Sequence, residues 1–409
     1  MRRRCGFALL IALFVGLMSR ALWAEERTVP EARTDVSVAV RGNTAFALDL
    51  YAKLRTGEGN LFFSPMSIST ALGMTYAGAR GETAREMSAV LHLAADRKEA
   101  DAALGSLVRQ LNALGTSGKF QLSVANGLWL QKGYPFIPEY VGSVSKNYDA
   151  AVEELNFAES EPARRIINDW VEKKTKDRIK DLIPPGVLTE LTRLVLTNAI
   201  YFKGDWVEPF KEALTKDQPF SVAPDTKVNV PLMRQTKGFG YLHGEGFQAL
   251  EMPYAGDVLS MVVLLPDQVD GLAALEQSLT AENLDGWLKA IRRQRVLVFL
   301  PRFKMTVQFQ LAPTLAGMGM PLAFDLEKAD FSGMTTAERV FISHVIHKAF
   351  VEVNEKGTEA AAATAVVAAG GAAPVQPPTF RADHPFVFLI RDKKTGSILF
   401  IGRVVNPKT

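Results

Sequence analysis

Residues 355–380 constrain the fold of this chain more than any other stretch. Glu355-Lys356-Gly357-Thr358-Glu359 runs into Ala360, Ala361, Ala362, Ala363 and Thr364. Small residues continue through Ala369, Gly370, Gly371, Ala372 and Ala373, and Pro374, Pro377 and Pro378 follow. Apolar, β-branched runs at 341–353 and 386–390 flank the stretch and read as strands. A loop this long with no structure of its own is uncommon in a compact domain, and is functional or disordered where it occurs. An Ala-rich helix of this length is marginal in water and has no amphipathic stripe with which to dock. A plain tether has no need of small side chains at position after position. Small side chains suit a strand that must slip between neighbours already packed in a sheet.

The rest of the chain supplies such a sheet. Ala47, Leu50, Tyr51 and Leu54 share one helical face, with Asn43 or Thr44 as the cap. Residues 57–60 end that helix, 61–63 form a short buried strand, and Ser64-Pro65 opens a second helix. Further helices fit 82–91, 100–114, 138–146 and 162–180. Strands fit 194–202, 259–265, 296–300, 341–353, 386–390 and 398–405. Helices early and strands late argue for an α+β architecture with large sheets. No linker or fixed-period repeat divides residues 25–409, which read as one domain.

The N-terminus stands apart. Arg2, Arg3 and Arg4 precede an apolar run at 7–18 that is short for a bilayer span. Small residues at Ala21 and Ala24 complete the pattern of a secretory signal over 1–24, an uncleaved anchor being the alternative. The formal charge of +3 falls to −1 once the four arginines of that segment leave, and no acid leaves with them. The basic balance therefore gives no support to a nucleic-acid partner, and no membrane contact is expected after cleavage. Cys5, the one cysteine, lies in the same segment, so packing rather than disulfides must hold the exported protein.

Four strings, in one order along the chain, resemble a known family. Asn60-Leu61-Phe62-Phe63-Ser64-Pro65-Met66-Ser67 comes first, followed by Thr197-Asn198-Ala199-Ile200-Tyr201-Phe202-Lys203-Gly204-Asp205-Trp206. Val353 through Thr364 resembles the reactive-loop hinge of the inhibitory serpins. Asp383-His384-Pro385-Phe386, with Gly402-Arg403-Val404-Val405-Asn406-Pro407, is similar to that family's C-terminal signature.

The resemblance implies a single α+β domain with large antiparallel or mixed sheets, eight or nine helices and an exposed reactive-centre loop at about 355–380. It implies a suicide-substrate inhibitor rather than an enzyme. A target serine protease would be esterified to the loop, whose upstream arm would then insert as a new central strand. By the family's spacing back from Pro385, the reactive bond falls at Gly371-Ala372, with Ala369, Gly370 and Ala373 as alternatives. The hinge would comprise Glu355, Gly357, Thr358, Glu359, Ala360, Ala361, Ala362, Ala363 and Thr364. Ser64, Ser67, Asn198 and His347 would close the sheet where it opens. Trp206 would sit at the loop's point of entry, and Glu355 would pair with Arg302.

The fourteen residues from Thr358 to Gly371 would reach about 46 Å as a strand. That is close to the diameter of a globule with a radius of gyration of about 21 Å. The partner implied is an elastase-like or subtilisin-like serine protease with a small-residue pocket, because residues 368–373 offer neither a cation nor an aromatic. A monomer is expected, secreted or periplasmic.

Two other readings compete. A non-inhibitory serpin, acting as a carrier, chaperone or plain substrate, typically carries bulky, charged or proline residues in the hinge. That pattern is largely missing from 357–364, where Glu359 is the one charge. An enzyme lacks support, since no nucleophile elbow, zinc-type helix motif or complete dinucleotide fingerprint occurs. His344 and His347 fall on opposite faces of a strand, so no metal and no cofactor are expected. Lys173, Lys174, Lys176, Arg178 and Lys180, or Arg292, Arg293 and Arg295, could meet a polyanion such as a glycosaminoglycan. Glu172, Asp177 and Asp181 break up the first run and favour a solvated helix face.

Overall fold

The computed structural model describes residues 35–94, 96–115, 120–148, 150–335, 339–357 and 376–408. Thr358 through Thr364 and the expected reactive bond, with its alternatives at 369–373, lie outside the described residues, as does segment 1–24.

Helix α1 (Ser37–Leu54) begins well before the expected caps. Asp35 accepts from the Ser37 backbone N–H (2.8 Å), which frees Asn43 for the interior. There the Asn43 amide donates to the Ile398 carbonyl (3.0 Å), and Thr44 Oγ1 donates back to Val40 (3.0 Å). Strand β1 (Leu61–Phe63) follows, and Ser64 caps α2 (Pro65–Tyr76) by accepting from the Ser67 N–H (3.2 Å). Proline at the first helical position costs no intrahelical bond. Helices α3 (Gly81–Val90) and α4 (Arg97–Gly115) lead to β2 (Phe120–Gln131), α5 (Pro138–Tyr148) and β3 (Ala151–Leu155).

Helix α6 (Ser160–Lys174) stops six residues short of the expected end at 180. Thr175 Oγ1 donates to the Val171 carbonyl (2.8 Å) and accepts from the Ile179 N–H (3.2 Å). Lys176 and Asp177 take positive φ, so the chain turns away there. The basic run 173–180 is therefore no single helix face.

Strands β4 (Leu194–Gly204), β5 (Lys216–Ala223), β6 (Thr226–His243), β7 (Phe247–Pro253) and β8 (Leu259–Pro266) come next. Helices α7 (Leu272–Ser278) and α8 (Ala281–Ala290) precede β9 (Arg292–Pro301) and β10 (Phe303–Gln310). The chain closes with α9 (Ala312–Met318), β11 (His344–Val353), β12 (Thr379–Arg381), β13 (Phe386–Asp392) and β14 (Ile398–Val404). Strands are thus less confined to the second half than the apolar runs suggest.

Two sheets result. The larger runs β1-β14-β13-β8-β7-β6-β9-β12, with β5 beside β6. The smaller runs β10-β11-β4-β2-β3. Most pairs are antiparallel, but β11–β4, β2–β3 and β12–β9 are parallel. One shared core joins the sheets, with Phe62 stacked on Phe388 (5.7 Å) and Phe400 (5.1 Å). No described helix is long and apolar enough to cross a membrane.

Candidate functional site

The parallel seam between β11 and β4 holds the candidate site, because β11 runs directly into the alanine-rich stretch. Nearly continuous apolar burial along β4, from Leu194 to Tyr201, marks a central strand covered on both faces. Pairing across the seam begins at His344 and Val195 and ends at Phe350 and Tyr201. Both strands continue past that point. Strand β11 stays paired with β10 as far as Val353, and β4 with β2 as far as Gly204. The two central strands therefore part over their last three residues, on the side where the loop leaves.

Residues 354–357 occupy that fork. Gly357 bridges back to Asn354 and across to Asp205, so one residue is paired with the continuation of both strands. Asn354 and Gly357 exchange backbone hydrogen bonds (2.8 and 3.2 Å). The Trp206 N–H donates to the Lys356 carbonyl (2.8 Å), and the Phe210 N–H to that of Glu355 (2.8 Å). Gly357 has φ of +133°, and a Cβ there would stand 2.2 Å from the Gly204 carbonyl oxygen. Only glycine fits.

The Glu355 side chain is buried and clamped from two sides. Arg302 Nε donates to it at 2.7 Å and Arg302 Nη2 lies 2.5 Å away, while the Thr215 hydroxyl supplies another donor. Burial by itself would raise the carboxyl pKa, but the hydrogen bonds from Arg302 and Thr215 outweigh it and leave it lowered. Arg302 is the one residue between β9 and β10, so the clamp ties residues 354–357 to the start of the strand flanking β11. Trp206 stacks on Tyr254 (4.6 Å between ring centres) and donates its indole N–H to the Asn354 carbonyl (3.0 Å).

Midway down the seam, Ser64, Ser67, Asn198 and His347 come together. His347 and Asn198 are register partners across β11–β4. The Ser64 backbone N–H donates to His347 Nε2 (3.1 Å), which must therefore be the unprotonated nitrogen. Nδ1–H then donates to Asn198 Oδ1, and the Asn198 amide donates to Ser67 Oγ and to Asn126 Oδ1. Each donor has one acceptor, so the assignment is self-consistent. The imidazole is completely buried, and desolvation lowers its pKa to about 3. It is neutral at any ordinary pH.

Asn126 was not among the expected residues. It is the register partner of Asn198 on the other side, so the network spans β11, β4 and β2 at one level and rests on the start of α2. A polar residue inside the otherwise apolar 124–130 segment is the trace it leaves in the sequence. Among the described residues, no three His, Cys, Asp or Glu side chains are grouped to hold a metal ion. His344 lies on the same strand as His347 and accepts from Gln310 (2.8 Å), away from the cluster.

Comparison with known proteins agrees with this geometry. Residues 41–407 match the family model described as Serpin (serine protease inhibitor). An uncharacterised serpin-like protein of Thermococcus kodakarensis is 42% identical over 392 residues, which cover 93% of this chain and 90% of that protein. The human leukocyte elastase inhibitor is 42% identical over 376 residues, covering 89% of this chain and 98% of the relative. Among solved structures, uncleaved ovalbumin superposes with a TM-score of 0.83 at 33% identity, over 90% of this chain and all of the other. The α+β fold with its two mixed sheets is the serpin fold, and the chain belongs to the serpin family.

Proposed function

We propose that this serpin is a suicide-substrate inhibitor of a serine protease with a small-residue pocket. The protease serine would attack the carbonyl carbon of Gly371, or of a neighbour between 369 and 373. The amine of the following residue would leave with the attacking serine's proton, and an ester would remain between loop and protease. The freed upstream arm would then enter the β11–β4 seam. There it would run antiparallel to both neighbours and replace one parallel pair by two antiparallel ones.

A single observation carries this reading: Gly357 is already paired with the ends of both strands. An entering strand needs no new nucleus, since the residue just before it sits in the fork and the seam ahead is unpaired for three residues on each side. The next obstacle is the polar network at His347 and Asn198, which we take as the closure holding the sheet in its uninserted state. Thr358 through Thr364 would be the segment entering first. The protein would then have no catalytic group of its own; the nucleophile belongs to the protease.

The small side chains of 369–373 support elastase-like or subtilisin-like targets. Export is part of the proposal and rests on the Arg2–Arg4 and 7–18 pattern; N-terminal sequencing of the mature protein tests it.

The decisive experiment is incubation with such proteases followed by denaturing electrophoresis. A boiling-resistant adduct, together with a nicked form melting well above the intact one, is the expected outcome. Thr358→Arg should be cut without forming adduct, because a buried strand position cannot take an unpaired guanidinium. Inhibition by that variant at the parent rate would overturn the hinge assignment, and a nicked form no more heat-resistant than the intact one would overturn insertion.

A further inference from the structure

The two groups of cations noted in the sequence fare differently in the structure. Four of the five at 173–180 are engaged: Lys180 pairs with Glu172 (2.5 Å), Lys176 donates to Gln121 (3.3 Å), and Lys174 and Arg178 lie over Trp170 and Tyr201. In the second group Arg292 donates to the Lys289 and Ile291 carbonyls, whereas the exposed guanidinium groups of Arg293 and Arg295 have no hydrogen-bond or ion-pair partner among the described residues.

Their setting on β9 is specific. Both point to the outer face of the larger sheet, along with Leu297 and Phe299 of the same strand. Across the ladder to β6, Arg295 faces Gly238 and Arg293 faces Gly240. No cross-strand carboxylate is therefore opposite either guanidinium, and Arg293 lies over the bare backbone at Gly238. Farther along the same face, Arg234 and Arg381 stack on Phe299 at 5.6 and 4.5 Å. Arg381 is matched by Asp383 (2.6 Å). Glu251, one strand beyond Gly240, is occupied by Ser260 (2.7 Å) and Arg391 (3.7 Å). The face carries a net positive charge.

It also lies where the loop returns. The Leu297 N–H donates to the Pro378 carbonyl (2.9 Å), and β12 then runs parallel to β9 from Thr379. Arg295 and Arg293 precede Leu297 on β9 by roughly 7 and 13 Å, on the side from which the loop arrives. The six Cα–Cα steps from Ala372 to Pro378 span at most about 20 Å. A protease of ordinary size, with a radius of gyration of about 18 Å, is some 45 Å across and would overhang this face once seated on the loop.

We infer that Arg293 and Arg295 form a second contact for the attacking protease, selecting enzymes whose surface beside the leaving-group side of the cleft is acidic. The inference rests on the loop being the protease's point of attack. Exposed charges at the edge of an interface act mainly on the association rate and are screened by salt.

The test compares one small-pocket subtilisin-type protease with the same enzyme after succinylation of its lysines, both standardised on a small chromogenic substrate. The readout is the second-order rate at which intact protein is consumed, whether the product is adduct or nicked chain. At low salt the succinylated enzyme should consume the parent protein about tenfold faster, relative to the untreated enzyme, than it consumes R293E/R295E. The difference should shrink toward unity at 1 M salt. Equal ratios for both proteins, or no attack on the loop by either enzyme, overturns the inference. Loss of heparin retention in R293E/R295E with unchanged ratios assigns the face to polyanions instead and also overturns it. Charge-dependent nicking without any adduct would leave this contact standing while the inhibitor reading falls.

Discussion

His347 of β11 donates from Nδ1 to Asn198 of β4 directly across the parallel seam, and this bond joins the two strands between which the loop's upstream arm is proposed to enter. Asn198 is the middle of the chain of donors, since it also holds Ser67 and Asn126. Asn198→Ala would strand the His347 Nδ1–H in a fully buried site. One orphaned buried donor costs about 1–3 kcal/mol. The native form should therefore unfold at lower denaturant and convert spontaneously to an inserted, protease-resistant form several times faster than the parent. Equal conversion rates in a timed protease-resistance assay would remove this network from the closure.

The same histidine sets a pH dependence whose sign follows from its burial. Its folded pKa of about 3 lies below the unfolded value near 6.5, so the unfolded chain binds the extra proton between those limits. The stabilisation is complete above about pH 6.5 and is lost as pH falls toward 3, at roughly one factor of ten in the folding constant per pH unit. His344, whose pKa burial also lowers, adds with the same sign. Glu355, with its pKa lowered, contributes above its unfolded value near 4.5 and loses that only at more acid pH. Between 6.5 and 4.5 Glu355 is therefore silent, while Asp101 and Asp205, whose carboxyl pKa burial raises, act against the histidines. His347→Gln should flatten the denaturant midpoint against pH there, and an unchanged slope would refute the assignment.

How much of this could be read from the sequence depends on the kind of interaction. The β4 and β11 segments announce themselves by apolar runs, because both faces are buried. Strands β5, β6 and β10 alternate buried with exposed residues, a weaker signal over short segments than a continuous apolar run. Asn43 has the chemistry of a helix cap, but a carbonyl of β14 claims its amide from far along the chain. Asn126 and Thr215 became parts of the site only through register and tertiary closure, neither of which leaves a spacing in the sequence. The pairing of Arg302 with Glu355 follows from the resemblance alone; the structure supplies the reason, since Arg302 links β9 to β10 beside residues 354–357.

That pair gives a third prediction. Arg302→Met leaves the Glu355 carboxylate, 4% exposed, with Thr215 as its remaining side-chain donor. The Arg302 side chain is 42% exposed, so the loss should be nearer 2 kcal/mol than the larger cost of breaking a wholly buried pair. Glu355→Gln in the same background should recover most of it by removing the unpaired charge. A double variant no more stable than Arg302→Met would mean that the clamp acts by packing alone.

Gly357→Ala addresses the fork itself. Its Cβ would meet the Gly204 carbonyl and the Asp205 Cα at 2.2 and 2.6 Å, so the turn must move out of the fork. Backbone strain of this kind costs about 1–3 kcal/mol. Faster amide exchange at Trp206 and Phe210, whose N–H groups bond the turn, should accompany the loss. Retention of parent exchange rates at both amides would show that the turn tolerates a side chain.

Trp206 offers an optical report on the proposed insertion. Its indole is 4% exposed, stacked at 13° to the Tyr254 ring and bonded to the Asn354 carbonyl. A strand entering the fork beyond Gly357 must pass beside Asp205 and Trp206, so the indole's surroundings change even if its ring stays stacked. Nicking the loop should therefore shift the emission of the intact protein, and Trp206→Phe should abolish most of that shift. Phenylalanine keeps the stack and loses one hydrogen bond, which costs about 1 kcal/mol, so the variant remains folded and its nicked form can still be compared with the intact one. If the emission change on nicking survives undiminished in Trp206→Phe, the moving strand does not pass this residue, and the path from fork to seam drawn here is wrong.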